Sequence, residues 1–159
     1  MKLSVTTLLQ AMCSTHAALY FHAVFGTKHL EPLIREPWMK RLHEYLGGTI
    51  RHMEGVAMSI GGVADHVHLL MSLKPTHRLC DIIMEVKRES SRWIRAEAGE
   101  PNFAWQDGYG IFTVSYSQVV TVEHYITTQA EHHRVKTFQE EYLKFLHCHD
   151  VQYDPRYVF

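Results

Sequence analysis

Hydrophobic and polar positions repeat with two different periods along the chain, and these periods delimit its elements. Runs rich in β-branched and aromatic residues predict strands at residues 17–27, 56–61, 65–73 and 111–116. Apolar residues spaced three and four apart predict helices at about 37–52, 77–98, 118–134 and 137–147. The resulting order predicts an α+β, ferredoxin-like (RRM-like) split βαβ fold: an antiparallel sheet, helices on one face, and extra C-terminal helices.

Several residues predict where the helices begin and end. Pro37 suits a first helical turn, and Gly99 suits the end of the second helix. Ser117 is predicted to cap the third helix. Thr137, with Glu140 three residues later, predicts a capping box at the start of the last helix.

The third predicted strand carries the chain's most specific polar pattern. In a strand, alternate side chains share a face, so His66, His68 and Leu70 point one way and Val67, Leu69 and Met71 the other. Right-handed crossovers place this strand beside the first, at the centre of the sheet. Two adjacent imidazoles on a rigid strand could bind one metal ion. The alternative is a solvated polar face, since a chain with 13 histidines can contain His-x-His by chance.

Composition limits the class of protein. The chain has 159 residues, 46% of them apolar and 21% charged, which predicts a single globular domain at 17–159 after a flexible leader at 1–16. A formal net charge of −1 argues against a protein that coats duplex DNA nonspecifically. Three widely spaced cysteines argue against a disulfide framework and for a cytoplasmic location. No apolar run is long enough to span a bilayer.

Two histidines make an incomplete site, and the third predicted helix offers candidates to complete it. Tyr125 and Gln129 are four residues apart, so they share a helical face. A deprotonated tyrosine is a possible nucleophile, and a glutamine carbonyl oxygen is a ligand for a hard cation. Half-buried packing of Tyr125 is the alternative, and other tyrosines compete for the role: Tyr109, Tyr116 and Tyr142.

Several segments occur in an order and at a spacing that resemble one known family. They are YFHAVFGTK at 20–28, GGVADHVHLL at 61–70, KRESSRWI at 87–94, FAWQDGYG at 103–110, Tyr-Ile-x-x-Gln at 125–129 and EHHR at 131–134. Over residues 19–157 the chain resembles the single-tyrosine HUH transposases of bacterial insertion sequences of the two-hundred type. The REP-associated tyrosine transposases are relatives of that family.

The resemblance implies an activity and a set of residues. His66 and His68 match the family's metal-binding pair, Gln129 its third ligand and Tyr125 its nucleophile. Family members use Mg²⁺ or Mn²⁺, without ATP, to cut single-stranded DNA at hairpins near element ends. They form a 5′-phosphotyrosine and later rejoin strands, and they act as homodimers that often share active sites.

The resemblance also suggests DNA contacts. The second helix has a basic face that could hold phosphates, formed by Lys87, Arg88, Arg92 and Arg95, although such faces are often merely solvated. Trp105 and Tyr109 could stack on unpaired bases, or pack into the core instead. Asp107 stands where the resemblance predicts a basic residue. Three histidines near the matching segments have no assigned role: His22, His132 and His133.

Three alternatives to an active transposase stay open. A domesticated relative would process repetitive DNA hairpins without moving an element. A noncatalytic ferredoxin-like nucleic-acid-binding protein would need exposed aromatic residues on the sheet. A metal-dependent hydrolase would need a carboxylate beside the histidines, and strand alternation predicts that Asp65 faces away from His66.

Overall fold

Within the residues that the structure describes, four antiparallel strands form one open sheet with the histidine pair near its centre. The computed structural model describes residues 16–133 and 136–158. Residues 1–15 of the predicted leader lie outside this range. Arg134, the predicted end of the third helix, also lies outside it. The strands are β1 (Tyr20–Gly26), β2 (Val56–Gly62), β3 (His66–Ser72) and β4 (Gly110–Val114). Their order in the sheet is β2-β3-β1-β4, which confirms that β3 lies beside β1.

In the described part of the chain five α-helices accompany the sheet, so the predicted α+β fold is confirmed. They are α1 (Glu36–His52), α2 (Leu79–Glu97), α3 (Val119–Thr127), α4 (Gln129–His132) and α5 (Phe138–Cys148). None of the helices within the described part of the chain is long and apolar enough to cross a membrane.

The main hydrophobic core lies between one face of the sheet and helices α1 and α2. β3 contributes Val67, Leu69 and Met71, as the alternation predicts, and all three are fully buried. The two helices contribute their apolar stripes, which include Trp38, Leu42, Leu46 and Ile50 from α1, and Ile82, Ile83, Val86 and Ile94 from α2. Burial of each such side chain contributes about 1.5–3 kcal/mol, so this core stabilises the sheet on which the histidines stand.

The extra C-terminal helices cover the opposite face of the sheet. Leu70 of β3 packs with Val119 and Ile126 of α3. Val24 of β1 packs with the buried residues Phe112, Phe138, Tyr142 and Leu146, three of them from α5. The face that carries the histidines is therefore enclosed by protein rather than solvated.

The third predicted helix is two helices in the structure. α3 ends at Thr127, and Thr128 has φ −102° and ψ 17°, outside the helical region, before α4 begins at Gln129. The hydroxyls of Thr127 and Thr128 both donate to the carbonyl oxygen of His124, each at 2.9 Å. Local bonds of this kind compete with regular helix, which gives a physical reason for the break.

The predicted helix starts had mixed outcomes. Pro37 lies in the first turn of α1, and Thr137 caps α5 in a complete capping box with Glu140, as predicted. The prediction for Ser117 is wrong, because this residue lies inside a short 3₁₀ turn and α3 begins after Gln118 without a side-chain cap.

Candidate metal centre and neighbouring tyrosine

The histidine pair lies in the middle of the sheet, on a strand that is hydrogen-bonded on both sides. His68 is opposite Val24 of β1 and Gly61 of β2. His66 and His68 are both 0% exposed. Pairing on both edges fixes the backbone of β3, so the Cα positions of the two histidines are fixed and their imidazoles point towards the C-terminal helices.

His66 is held between a carboxylate on one side and two oxygens on the other. Its Nδ1 lies 2.6 Å from Oδ1 of Asp65. Its Nε2 lies 3.3 Å from Oε1 of Gln129 and 3.6 Å from Oε2 of Glu141. A carboxylate that accepts from one ring nitrogen of a histidine fixes the ring orientation and directs the other nitrogen, an arrangement common in metal-binding histidines.

The contact with His66 also changes the pKa of the Asp65 carboxyl. Burial raises the pKa of Asp65, but the hydrogen bond and charge of His66, together with the charge of His133, outweigh burial and bring the pKa below its ordinary value. Asp65 is therefore ionised and can accept from His66. The prediction that Asp65 faces away from the histidines is wrong, because β3 begins at His66 and strand alternation does not extend to the residue before it.

His68 is held by a third histidine, His22 of β1. Nε2 of His22 and Nδ1 of His68 share a hydrogen bond of 2.9 Å, and the rings stack with centroids 5.1 Å apart. Burial, with smaller contributions from the charges of His68 and His149, lowers the pKa of His22 to about 3. Burial also takes the pKa of His68 well below its ordinary value. Both imidazoles are therefore neutral near pH 7, the form that binds metal ions.

A carboxylate from α5 reaches into the same space. Oε2 of Glu141 lies 3.1 Å from Nε2 of His133 and 3.5 Å from Nε2 of His68. Its other oxygen, Oε1, accepts from Nε2 of Gln129 at 3.3 Å. Burial raises the pKa of Glu141 to about 7; the charge of His66 opposes this shift and that of Asp65 adds to it.

The residues that converge here fit a divalent metal ion. One ligand atom from each of His66, His68, His133 and Glu141 lies within 4.8 Å of all the others. Nε2 of His68 is buried and has no hydrogen-bond partner among the residues that the structure describes. Nδ1 of His66 is engaged with Asp65, so its Nε2 presents a lone pair to the acceptor oxygens of Gln129 and Glu141. A cation placed between Nε2 and these oxygens would bind lone pairs that otherwise face each other.

Tyr125 lies at the edge of the same cluster. Its ring centroid is 5.8 Å from that of His68 and 6.4 Å from that of His22, and both pairs are edge-to-face. α3 positions the tyrosine by packing Ile126 against the sheet, while Gln129 donates from Nε2 to the carbonyl oxygen of Tyr125 at 3.4 Å. Residues from β1, β3, α3, α4 and α5 thus meet in one buried site.

The competing tyrosines have other surroundings. Tyr116 is 76% exposed and packs against Tyr20. Tyr109 lies in the loop at residues 103–109 before β4, the aromatic loop, and the ammonium of Lys87 of α2 lies over its ring. Tyr142 is buried beside Phe138 on α5, and burial raises its pKa. Of these four tyrosines, Tyr125 has the ring contacts to His22 and His68.

Comparison with known proteins identifies the family. A family model described as IS200-like transposase matches residues 15–129. The chain belongs to this family. It is therefore a DNA-processing enzyme of the transposase class, and its match includes both histidines of β3, Tyr125 and Gln129. Glu141 and His133 lie beyond the matched residues.

Two solved structures resemble this family member in fold. A candidate transposase from Deinococcus radiodurans has a TM-score of 0.60 and 22% sequence identity, covering 74% of this chain and 95% of the other. A REP-associated tyrosine transposase bound to a REP hairpin has a TM-score of 0.56 and 13% identity, covering 77% of this chain and 74% of the other. No curated protein matches the chain.

The predicted basic face of α2 is largely engaged within the protein. Nζ of Lys87 donates to three backbone carbonyls of the aromatic loop, those of Gln106, Asp107 and Gly108, at 2.6–3.3 Å. Burial lowers the pKa of Lys87 to about 8, although the charge of Asp107 opposes this shift. The ammonium therefore ties the loop to α2.

The arginines of α2 also have partners. Arg88 pairs with Glu85 and Glu89, and Arg92 pairs with Glu89. Arg95 donates from Nε to the carbonyl oxygen of Phe103 at 2.9 Å. Contact of these cations with DNA phosphates stays a prediction, and it would require them to exchange these partners.

The two aromatic candidates of the loop differ in exposure. Trp105 is 6% exposed, donates from Nε1 to Oγ of Ser90 at 2.9 Å, and packs edge-to-face against Phe25 and Phe103. This is the core packing that the sequence left open as an alternative to base stacking. Tyr109 is only partly buried, so it is the better placed of the two for contact with a ligand.

Sequence reasoning missed four residues of the site or gave them no role: His22, Asp65, His133 and Glu141. One signal for Glu141 was available. It follows Phe138 by three residues and precedes Phe145 by four, so it lies on the apolar face of α5, and a carboxylate on such a face needs a partner.

Proposed function

We propose that this transposase nicks and rejoins single-stranded DNA at hairpin-flanked element ends through a 5′-phosphotyrosine on Tyr125, with a divalent metal ion. One observation carries the proposal: Tyr125, His68 and His22, which are remote along the chain, have rings within 5.1–6.4 Å of one another. A tyrosine whose ring sits against neutral, buried imidazoles in an IS200-like transposase is the natural candidate for its nucleophile.

The chemistry needs only the exchange of one phosphodiester bond for another. The phenolic oxygen of Tyr125 attacks phosphorus, a P–O bond to the tyrosine forms, and the bond from phosphorus to the 3′-oxygen breaks. The phenolic proton leaves and the 3′-oxygen takes up a proton. In the second step a 3′-hydroxyl attacks the phosphotyrosine and releases Tyr125, so strands are rejoined without an external energy source.

His66, His68 and Gln129 are the proposed ligands of the ion, Mg²⁺ or Mn²⁺. When bound, such an ion would polarise the phosphate oxygens and offset the charge that develops in the transition state. The remaining residues orient these ligands. Asp65 accepts from Nδ1 of His66, and His22 shares a hydrogen bond with Nδ1 of His68.

The proposed DNA partner is a single-stranded hairpin, in keeping with the REP hairpin bound by one structural relative. Phosphate contacts from Lys87, Arg88, Arg92 and Arg95, and base stacking on Tyr109 or Trp105, belong to the same proposal. A homodimer in a cytoplasmic location is also proposed. Tyr125 and the histidines converge within one chain, so a shared active site is not needed to bring them together.

A metal-dependent hydrolase is the second candidate, because a specific observation favours it. Two carboxylates lie beside the histidines, with Asp65 at 2.6 Å from His66 and Glu141 at 3.5 Å from His68. A carboxylate in such a position can take a proton from water. In that reaction water rather than Tyr125 would attack phosphorus, and no covalent protein–DNA adduct would form.

The test is incubation of hairpin-bearing single-stranded DNA with the protein and Mg²⁺, followed by denaturing electrophoresis. We expect a covalent adduct in the wild-type protein, loss of that adduct in Tyr125→Phe, and its retention in Tyr116→Phe, the matched change at an exposed tyrosine. An adduct that persists in Tyr125→Phe would exclude the proposed nucleophile. Free 5′-phosphate ends without an adduct would favour the hydrolase, and binding without cleavage in any divalent ion would favour a binding protein.

A further inference from the structure

Glu141 is an acidic side chain enclosed by nitrogen and amide groups. It is 7% exposed, and its Oε2 lies at 3.1, 3.5 and 3.6 Å from the Nε2 atoms of His133, His68 and His66. It belongs to α5, beyond residues 15–129 that match the family, and it is not among the ligands that the family resemblance implies, which are His66, His68 and Gln129.

The contacts of α5 hold this carboxylate in place. The ring of Phe138 stacks on that of His66 at 4.4 Å between centroids, and the ring of Phe145 lies edge-on to His22 at 5.2 Å. The capping box of Thr137 and Glu140 fixes the first turn of the same helix. These two ring contacts and the capping box orient α5. Glu141 lies between the two phenylalanines on this helix, so its side chain points into the cluster.

The spacing of the oxygen and nitrogens is that of ligands around one ion. Metal–ligand bonds of about 2.1 Å separate neighbouring ligands by about 3.0 Å in octahedral and about 3.4 Å in tetrahedral geometry. The distances from Oε2 of Glu141 to Nε2 of His68 and Nε2 of His66, 3.5 and 3.6 Å, are close to the tetrahedral value. The same oxygen also shares a hydrogen bond of 3.1 Å with Nε2 of His133. Oε1 accepts from Gln129, so one oxygen is tethered and the other faces the nitrogens.

Charge argues in the same direction. The ligands that the family resemblance implies, His66, His68 and Gln129, contribute no negative charge when the histidines are neutral. Mg²⁺ and Mn²⁺ are hard cations that favour carboxylate oxygens over neutral donors. One buried carboxylate within reach of the same space would supply the anionic ligand that this set lacks.

We propose that Glu141 is an oxygen ligand of the same divalent ion as His66 and His68, so that ion binding fastens helix α5 onto the histidine face of the sheet. This inference rests on the proposed function, in which the histidines hold an ion, and adds a ligand from outside the family match. Gln129 then has two tasks: its carbonyl oxygen faces the ion, and its amide group holds Glu141.

The test is calorimetric titration of Mn²⁺ into the full chain after removal of metal with a chelator. Glu141→Gln keeps the shape and removes the charge, and we expect it to weaken Mn²⁺ binding by at least about tenfold. Glu44→Gln, the same change at an exposed position on α1, should bind as the wild type does. His66→Ala should lose binding. If Glu141→Gln fails to fold, Glu141→Asp keeps the charge but withdraws the oxygen, and should also bind more weakly.

A second measurement tests the link to α5 without using activity. Mn²⁺ should slow amide hydrogen exchange across residues 138–148 in the wild type and should not do so in Glu141→Gln at saturating Mn²⁺. Equal Mn²⁺ affinity and equal protection in wild type and Glu141→Gln would overturn this inference. If His66→Ala still lost binding, the ion centre of the proposed function would stand, whereas a wild type that binds no Mn²⁺ would remove both.

Discussion

Replacing Gly61 with alanine would put a Cβ atom into space that the backbone of α3 already occupies. Gly61 lies on β2 opposite His68, and an added Cβ would be 2.3 Å from the carbonyl oxygen of Ile126 and 2.9 Å from its Cγ2. Because real Cβ contacts essentially never fall under 3.0 Å, that carbonyl must retreat by about 0.7 Å. Ile126 follows Tyr125 directly, so the retreat moves the tyrosine relative to His68.

The expected magnitudes follow from this displacement. Overpacking a core contact costs about 1–3 kcal/mol of folding stability, and the clash here is with backbone, which cannot rotate away. A misplacement near 1 Å can lower the rate of a chemical step by about a hundredfold. We therefore expect Gly61→Ala to lose about 2 kcal/mol in the free energy of unfolding. We also expect it to form the tyrosine–DNA adduct about tenfold to a hundredfold more slowly.

Gly48→Ala is the matched control, since it makes the same chemical change within α1. The nearest atom to its added Cβ is the flexible tip of Arg51 at 4.0 Å. Alanine is favoured over glycine inside a helix by about 0.5–1 kcal/mol, so this variant should be slightly more stable than the wild type. Urea unfolding gives the stabilities and single-turnover adduct formation gives the rates. If Gly61→Ala matched the wild type in both, the close approach of α3 to β2 would be refuted.

Three further changes test other parts of the fold. The side chain of Lys87 should titrate near pH 8, measured by NMR. In the unfolded chain its pKa is about 10.5, so between these two pH values the unfolded chain binds more protons and the folded state should become more stable as the pH rises. Lys87→Met should lack this rise in stability. A midpoint at the ordinary value would contradict this. Trp105→Phe should lose about 1 kcal/mol through the lost bond to Ser90, measured by urea unfolding. Thr137→Ala should lose about 1 kcal/mol with faster hydrogen exchange in α5, and unchanged exchange would argue against the capping box.

The fold was predictable because its strands and long helices have local, periodic patterns. Val67, Leu69 and Met71 alternate with His66 and His68, and this alternation alone assigns each residue to its face. The break between α3 and α4 was not predictable in the same way. Apolar spacing continues through it, and a threonine hydroxyl can also bond to a preceding carbonyl oxygen without ending a helix, so the presence of Thr127 and Thr128 in the sequence does not predict the break.

The candidate site was predictable only in the part that the family resemblance covers. The resemblance assigned His66, His68, Tyr125 and Gln129, and the structure brings these four residues together. Glu141 could not be assigned to the site from the sequence, because its position depends on how an amphipathic helix packs across a sheet. Asp65 was misjudged because the rule of alternation was applied one residue before the strand begins.

Two parts of the chain build the site: the residues that match the family carry its candidate ligands and tyrosine, and α5 encloses them. Residues 15–129 match the family and contain the histidines of β3, Tyr125 and Gln129. Phe138, which stacks on His66, and Phe145, which contacts His22, His68 and Tyr125, both come from α5, beyond that match. Burial is the main cause of the lowered pKa values of His22 and His68. The neutral imidazoles that favour metal binding therefore depend on α5 as well as on the strands that carry them, which is why the His-x-His motif alone gives an incomplete account of this site.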